Sequence, residues 1–160
     1  MIRLASPTDI ARISEILIFS KRKTYRNIFQ NDQVSFNQMT VLDCILDYQN
    51  KNNSLENVYV YDDGIVKGMM KWKFHELKNK WEMKEIYVDP FFQNEGIGSN
   101  LMNYFIREAK KEGIEKVCLW VLEENKQARI FYENYQYIYA NKQKMVPNTN
   151  KYLFLYERNL

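Results

Sequence analysis

The segment from residue 81 to residue 109 limits the possible folds more than any other part of the chain. It begins with "WEMKEIYV", a run typical of a β-strand, which ends at Asp89 and Pro90 because proline has no N–H to offer a strand ladder. Gly96 and Gly98 follow, and after them apolar residues recur every three to four positions, as on one face of a helix. A strand, a glycine turn and a helix in this order predict a fold that mixes both kinds of secondary structure.

The other segments extend this alternation. "MIRLA" is predicted as a strand, and Ser6 and Pro7 are typical of the N-cap and first residue of the helix after it. A second helix is predicted over 36–49, and a hairpin turn at 62–64 joins two β-rich runs. "IEKVCLWVL" predicts a strand covered on both faces, before a helix capped by Asn125 and two closing strands. The predicted order β-α-α-β-β-β-α-β-α-β-β is that of an α/β or α+β protein.

Composition favours one domain over 1–160, because 46% of the residues are hydrophobic and no linker-like tract interrupts the chain. A net charge of +3 is too small to indicate a nucleic-acid partner. The basic run "SKRKTYR" is predicted as a solvated helix end, with a substrate or phosphate contact as the alternative. No run approaches the about 20 apolar residues of a membrane span, so we expect a cytoplasmic protein without a membrane partner. Cys44 and Cys118 stand apart from each other and from histidine, which predicts neither a disulfide nor a metal site.

The glycine turn is typical of a phosphate site. The first turn of a helix presents unpaired N–H groups and the positive end of the helix dipole, and glycine removes the side chains that would block a close approach. On spacing alone, an equal interpretation is a helix entry that needs glycine for packing. The spacing matches neither a dinucleotide fold nor the phosphate loop of nucleoside triphosphatases.

Two blocks of sequence resemble the GNAT N-acetyltransferase superfamily. "IYVDPFFQNEGIGSNLM" is similar to its acetyl-coenzyme A motif, with matches at Ile86, Tyr87, Val88, Gln93, Gly96 and Gly98. "NKQARIFYENYQY" looks like its second conserved block, with matches at Asn125, Ala128, Phe131 and Tyr132. The chain departs from the family pattern at two positions. Glu95 would weaken cofactor affinity if it faced the phosphates, and Gln136 stands where the family usually has a glycine.

The resemblance implies a GNAT-like fold, with a mixed, mostly antiparallel sheet of six to seven strands and about four flanking helices. It also implies acetyl-CoA as the cofactor. The cofactor-binding residues that it implies are Ile86, Tyr87, Val88, Gln93, Asn94, Glu95, Gly96, Ile97, Gly98, Ser99, Asn125 and Tyr132.

For catalysis, acetyl transfer to an amine needs a base, a polarised thioester carbonyl and a proton for the thiolate. Because the chain has a single histidine, His75, the base is expected to be a carboxylate, acting directly or through water. Glu82 and Glu85 are the candidates on the strand, and the resemblance favours Glu82. The resemblance also implies the N–H at or near Val88 for the carbonyl and Tyr132 for the thiolate.

The resemblance implies an N-acetyltransferase that acts in a ternary complex on a primary amine, either a small amine or polyamine or a peptide. The earlier helices are left to select this acceptor, and we expect Tyr25, Arg26 and Phe29 to contact it. The sequence leaves open whether the protein forms a homodimer. From a different class, a non-catalytic acyl-CoA sensor or interaction module is the alternative.

Overall fold

The computed structural model describes residues 1–50, 54–75 and 79–160, and its elements follow the predicted order. The helices and strands of these residues are β1 Ile2–Leu4, α1 Ile10–Phe29, α2 Val41–Asn50, β2 Val58–Asp62, β3 Val66–His75, β4 Lys80–Val88, α3 Ile97–Lys111, β5 Lys116–Leu122, α4 Lys126–Asn134, β6 Ile138–Met145 and β7 Tyr152–Asn159. Single helical turns of other types lie at Pro7–Asp9, Gln33–Gln38 and Pro90–Phe92.

The seven strands form one sheet in the order β1-β2-β3-β4-β5-β7-β6. Strands β4 and β5 are parallel, whereas β1 with β2, β2 with β3, β5 with β7 and β6 with β7 are antiparallel. The parallel pair follows from helix α3, which carries the chain across between β4 and β5. The predicted mixed, mostly antiparallel sheet is confirmed.

Contacts divide the chain into two compact units, and each unit is built from two separate stretches of the sequence. The first unit comprises Met1–Lys71 and Glu85–Tyr104. Its core is formed by apolar side chains of α1, β2 and β3, among them Ile13, Val58 and Met69, which are fully buried. The period of these residues in α1 is the amphipathic one that the sequence predicts.

The second unit comprises Trp72–Lys84 and Phe105–Leu160. Three aromatic rings pack together in it: Trp72 stacks on Trp81 with 5.1 Å between ring centroids, and Phe105 lies 5.4 Å and 5.8 Å from the two. Aromatic rings bury large apolar areas, so this cluster contributes to the packing around the start of β4. The single domain expected from the sequence stays a prediction.

Helix α1 is longer than the apolar pattern alone predicts. It runs on to Phe29 and ends at Gln30, whose left-handed φ of 49° stops the helix. The basic run at 20–26 therefore lies inside α1 rather than at its end, because lysine and arginine are good helix formers and no glycine or proline interrupts them. Among the described residues, none of the helices has the length and apolar character needed to cross a membrane.

Candidate active site

Strand β4 pairs with β5 over only part of its length. The ladder joins Lys80–Met83 to Lys116–Leu119, whereas β4 itself continues to Val88. Among the described residues, no pairing joins β5 to positions 84–88. The carboxyl-terminal part of β4 therefore lies outside the ladder with β5.

A buried aspartate fixes the end of β4. Asp89 is 2% exposed, its side chain accepts a hydrogen bond of 2.8 Å from the N–H of Phe91, and its own N–H donates to the carbonyl of Lys67. Its carboxylate also forms an ion pair with Arg12 of α1. The sequence around Asp89 indicates only a strand end, because Arg12, which pairs with its carboxylate, is 77 positions away.

The loop that follows has the backbone that an anion site needs. Asn94 and Gly96 have left-handed φ values of 68° and 77°, and α3 begins one residue later. A Cβ added at Gly96 would have nothing within 4 Å, so the main chain here is accessible. Gly98 lies in the first turn of α3, whose N–H groups have no partners within the helix. Accessible amides at a helix start are suited to a pyrophosphate.

Packing of α3 depends on Gly68 of β3, a glycine that has no recognisable motif around it. A Cβ at Gly68 of β3 would meet a side-chain carbon of Ile97 at 3.0 Å and one of Leu101 at 3.1 Å. Ile97 is 3% exposed, so its side chain belongs to the core and only its main chain is available to a cofactor. Gly68 thus allows α3 to start close to the sheet, which places the glycine loop at the end of β4.

Charged residues surround this loop. The Lys23 ammonium donates to the side-chain oxygen of Gln93 at 2.7 Å. Lys67 donates to Asp63 at 2.9 Å and lies 4.7 Å from the ring centroid of Phe92. Asp63 raises the pKa of Lys67, and the charge of Glu95 adds to this to a lesser degree. The negative charge of Glu95 therefore has a lysine close to it.

The structure separates the three residues expected to contact the acceptor. Tyr25 reaches β4, where its hydroxyl lies 3.2 Å from that of Tyr87, and its ring packs edge-on against Phe29 at 5.9 Å between centroids. Arg26 is exposed and its guanidinium pairs with Asp32 through bonds of 2.8 Å and 2.9 Å. Tyr25 and Phe29 thus share one surface of α1, whereas Arg26 is engaged elsewhere.

Glu82 is buried, and each of its carboxylate oxygens has a hydrogen-bond partner. One carboxylate oxygen lies 2.8 Å from Nε2 of His75, and the other accepts a bond of 2.8 Å from the Lys84 ammonium. Burial by itself would raise the pKa of Glu82, but the bonds from Lys84 and His75 outweigh it and lower that pKa. A carboxylate of lowered pKa is a weaker base than a free one.

Glu85 has a different environment. Its Oε2 atom is buried and has no hydrogen-bond partner among the described residues. Burial raises the pKa values of Tyr25, Cys44 and Tyr48, and the charge of Glu85 raises each of them further. The carboxylate therefore lies near side chains of both α1 and α2.

Helix α4 carries the second block of the resemblance. Asn125 is its N-cap, and the side-chain oxygen accepts a bond of 3.2 Å from the N–H of Ala128. Tyr132 is half-buried and its ring packs edge-on with Phe131 and Tyr137, at 5.5 Å and 6.1 Å between centroids. Gln136 follows the helix with a φ of 62°, the left-handed conformation that glycine adopts most easily.

Neither cysteine is in a disulfide: Cys118 is buried and Cys44 partly buried. The residues that the structure describes hold no group of three or more histidine, cysteine or acidic side chains arranged for a metal ion.

Comparison with known proteins supports the resemblance. The sequence pattern of the Acetyltransferase (GNAT) family matches residues 22–136, which is more than half of the chain. An uncharacterised N-acetyltransferase of Methanocaldococcus jannaschii is 52% identical over 52 residues. That match spans 32% of this chain and 23% of the relative.

Solved structures share the fold over the full chain. The PaiA N-acetyltransferase of Thermoplasma acidophilum, in complex with coenzyme A, superposes with a TM-score of 0.70 and 21% identity, covering 100% of this chain and 98% of its own. YncA of Salmonella typhimurium, with its cofactor acetyl-CoA, gives a TM-score of 0.69 and 19% identity, covering 99% and 92%. At these identities the likeness concerns the fold, and it agrees with the family match in confirming the resemblance found in the sequence. The chain belongs to the acetyltransferase (GNAT) family.

Proposed function

We propose that the protein transfers the acetyl group of acetyl-CoA to a primary amine, of a small amine or polyamine or of a peptide, by direct attack in a ternary complex. One observation carries the proposal: β4 leaves its ladder with β5 after Met83 and leads into an accessible glycine loop at the start of α3. A strand segment outside the β5 ladder, followed by a helix N-terminus, suits a long ligand that carries both amides and phosphates.

The chain's own residues fit this cofactor. The main chain of 86–88 would pair with the amides of the pantetheine arm, and the N–H groups of 93–99 would hold the pyrophosphate. Lys23 donates to Gln93 of this loop, and Lys67 opposes the negative charge of Glu95. When bound, acetyl-CoA supplies an acetyl group activated as a thioester.

The transfer forms a nitrogen–carbon bond and breaks the carbon–sulfur bond, so the amine must lose a proton and the sulfur must gain one. The N–H at or near Val88 would donate a hydrogen bond to the carbonyl oxygen. Tyr132 would give its proton to the sulfur. Glu82 would take the proton of the amine, and because both of its oxygens are already hydrogen-bonded, we expect a water to carry that proton to it.

The proposal is tested by mixing the protein and acetyl-CoA with a panel of amines and following both free thiol and acetylated amine. We expect stoichiometric release of thiol and formation of acetyl-amine with at least one class of acceptor. A sensor or interaction module would instead bind coenzyme A, measured by calorimetry, yet release no thiol above the background of the protein-free mixture. That result would overturn the enzymatic proposal.

The role of Tyr132 has its own test. Tyr132→Phe removes the hydroxyl but keeps the ring that packs with Phe131 and Tyr137. We expect kcat to fall by about 10²- to 10⁴-fold, while coenzyme A affinity and the melting temperature barely change. Near-normal kcat in the folded variant would return Tyr132 to a packing role and leave water as the proton donor.

A further inference from the structure

The segment 93–99, which forms the glycine loop and the first turn of α3, carries no positive side chain of its own. Its single charged side chain is Glu95, which is exposed and negative. The start of a helix contributes only about half an elementary charge, whereas a pyrophosphate carries full negative charges. Lys67 of β3 lies near the loop, but its ammonium already donates to Asp63 at 2.9 Å. A further cation for this site therefore has to come from another element.

Helix α1 carries four basic residues in the run at 20–26, and three of them have contacts away from the loop. Arg22 donates to two main-chain carbonyls, both at 2.9 Å, and Arg26 pairs with Asp32. The Lys21 ammonium lies 5.8 Å from the centroid of a tyrosine ring of β4. The fourth residue, Lys23, contacts the loop itself.

The contact of Lys23 fixes the orientation of a side-chain amide. Its ammonium donates to Oε1 of Gln93 at 2.7 Å, across 70 positions of the sequence. Because an ammonium can only donate hydrogen bonds, it has to face the oxygen of the amide rather than the nitrogen. The NH2 group of Gln93 has no hydrogen-bond partner among the residues that the structure describes. This group is therefore left to donate to an acceptor such as a phosphate oxygen.

Two other contacts anchor α1 to the end of β4. The Ser20 hydroxyl, about one helical turn before Lys23, donates to the carbonyl of Val88 at 3.0 Å. Nearer the start of the helix, Arg12 forms an ion pair with the buried carboxylate of Asp89. The side chain of Lys23 thus extends from a helix that is held against the strand leading into the loop.

We infer that Lys23 is a cofactor-binding residue: it turns the NH2 group of Gln93 toward the pyrophosphate of coenzyme A and supplies a positive charge that the loop lacks. This inference rests on the placement of the cofactor in the proposed function. Of the two interpretations of the basic run, a phosphate contact then holds for Lys23 alone.

Calorimetric titration of Lys23→Met with coenzyme A tests this role. We expect the affinity to fall about 5- to 20-fold, a moderate loss because solvent screens an exposed ammonium. Dephospho-coenzyme A, which keeps the pyrophosphate but lacks the 3′-phosphate, should lose the same factor. Lys23→Arg keeps both the charge and the donor, and it should bind within about threefold of wild type. Added salt should weaken binding more steeply in the wild type than in Lys23→Met.

A double variant tests whether Lys23 acts through Gln93. Gln93→Leu removes the amide that Lys23 holds. In that background Lys23→Met should lower the affinity by only about two- to threefold, because two residues that act as one unit give losses that do not multiply. The same factor in both backgrounds would mean that Lys23 does not orient Gln93 and would overturn the inference.

Lys110→Met is the matched control, because Lys110 is exposed in the last turn of α3, at the opposite end of that helix from the loop. It removes the same charge and should leave the affinity unchanged. The inference is wrong if Lys23→Met binds coenzyme A like wild type or if the control loses as much. It is also wrong if coenzyme A is affected and its dephospho form is not.

Failure of the proposed function is recognised separately, since these titrations contain no acceptor. A protein that shows the expected dependence on Lys23 but acetylates no amine would refute catalysis and leave this inference standing. An active enzyme whose affinity for coenzyme A does not depend on Lys23 would refute the inference and leave catalysis standing.

Discussion

The two ends of strand β4 give a glutamate side chain opposite environments. At the amino end, Glu82 has a cationic or imidazole partner on each oxygen. At the carboxyl end, Glu85 keeps a buried oxygen without a partner among the described residues. The main chain follows the same division, since the ladder with β5 covers Lys80–Met83 and stops there. A carboxylate on a motif strand is therefore informative about function only through its neighbours.

Paired and unpaired polar groups of β4 are expected to contribute differently to stability and to binding. Groups that the fold has already paired contribute mainly to stability, because their removal leaves partners unsatisfied. A buried polar group that the fold leaves unpaired costs stability and therefore calls for a functional explanation. Variants at the two ends of β4, and in the loop that its carboxyl end enters, should accordingly separate affinity from stability.

The largest effect is expected in the loop. Gly98→Val places a branched side chain in the first turn of α3, beside the amides proposed to hold the pyrophosphate. Coenzyme A affinity should fall at least about 100-fold by calorimetry, with little change in melting temperature because glycine and valine are both weak helix formers. Asn103→Val, at an exposed position farther along α3, is the control and should bind normally. Unchanged affinity in a folded Gly98→Val variant would remove the loop from the cofactor site.

The next effect concerns the paired end of β4. Glu82→Gln leaves His75 and Lys84 facing an amide instead of a carboxylate, and we expect a loss of about 1–2 kcal/mol in the free energy of unfolding. The exposed Lys84 contributes little of this, since solvent screens its charge. Urea unfolding measures the change. Because the pKa of folded Glu82 is lowered, its contribution is present above the unfolded value of about 4.3 and is lost as pH falls through the folded value. The difference in the free energy of unfolding between wild type and Glu82→Gln should therefore shrink below about pH 4.

The smallest effect is expected at the unpaired end. Glu85→Gln exchanges a half-buried carboxylate, whose buried Oε2 atom has no partner among the described residues, for a neutral amide of the same shape. The free energy of unfolding should therefore stay within about 0.5 kcal/mol of wild type or rise by up to about 1 kcal/mol. The same urea series measures it. A loss as large as that of Glu82→Gln would mean that Glu85 is part of the packing and would erase the difference between the two ends.

Much of the fold could be predicted from local signals. The hairpin turn at 62–64, the proline after β4 and the cap at Asn125 are decided by residues next to one another, and all lie where the sequence places them. The predicted end of α1 is wrong, because the apolar residues on one face of the helix stop before the helix does. Gly68 carries no local signal, since its importance comes from side chains about 30 residues later.

The candidate site divides in the same way. The glycine loop could be found because a phosphate site needs a fixed order of strand, glycine and helix. The difference between Glu82 and Glu85 could not, since it depends on His75 and on helices α1 and α2, whose contacts do not follow from spacing along β4. Alternation along a strand places the two glutamates on opposite faces but does not indicate which of them is already paired.

Helix α1 contacts β4 and its loop at successive points. The Ser20 hydroxyl donates to the carbonyl of Val88 at 3.0 Å, Lys23 holds Gln93, and Tyr25 meets Tyr87. One helix thus contacts the strand and the loop proposed for the cofactor and also carries Tyr25, the tyrosine expected to contact the acceptor. If an acceptor displaces α1, the two ligands become thermodynamically linked, and reciprocity requires each to change the affinity of the other by the same factor. The length of α1, which its apolar stripe underestimates, is what makes such cooperativity between donor and acceptor possible in this protein.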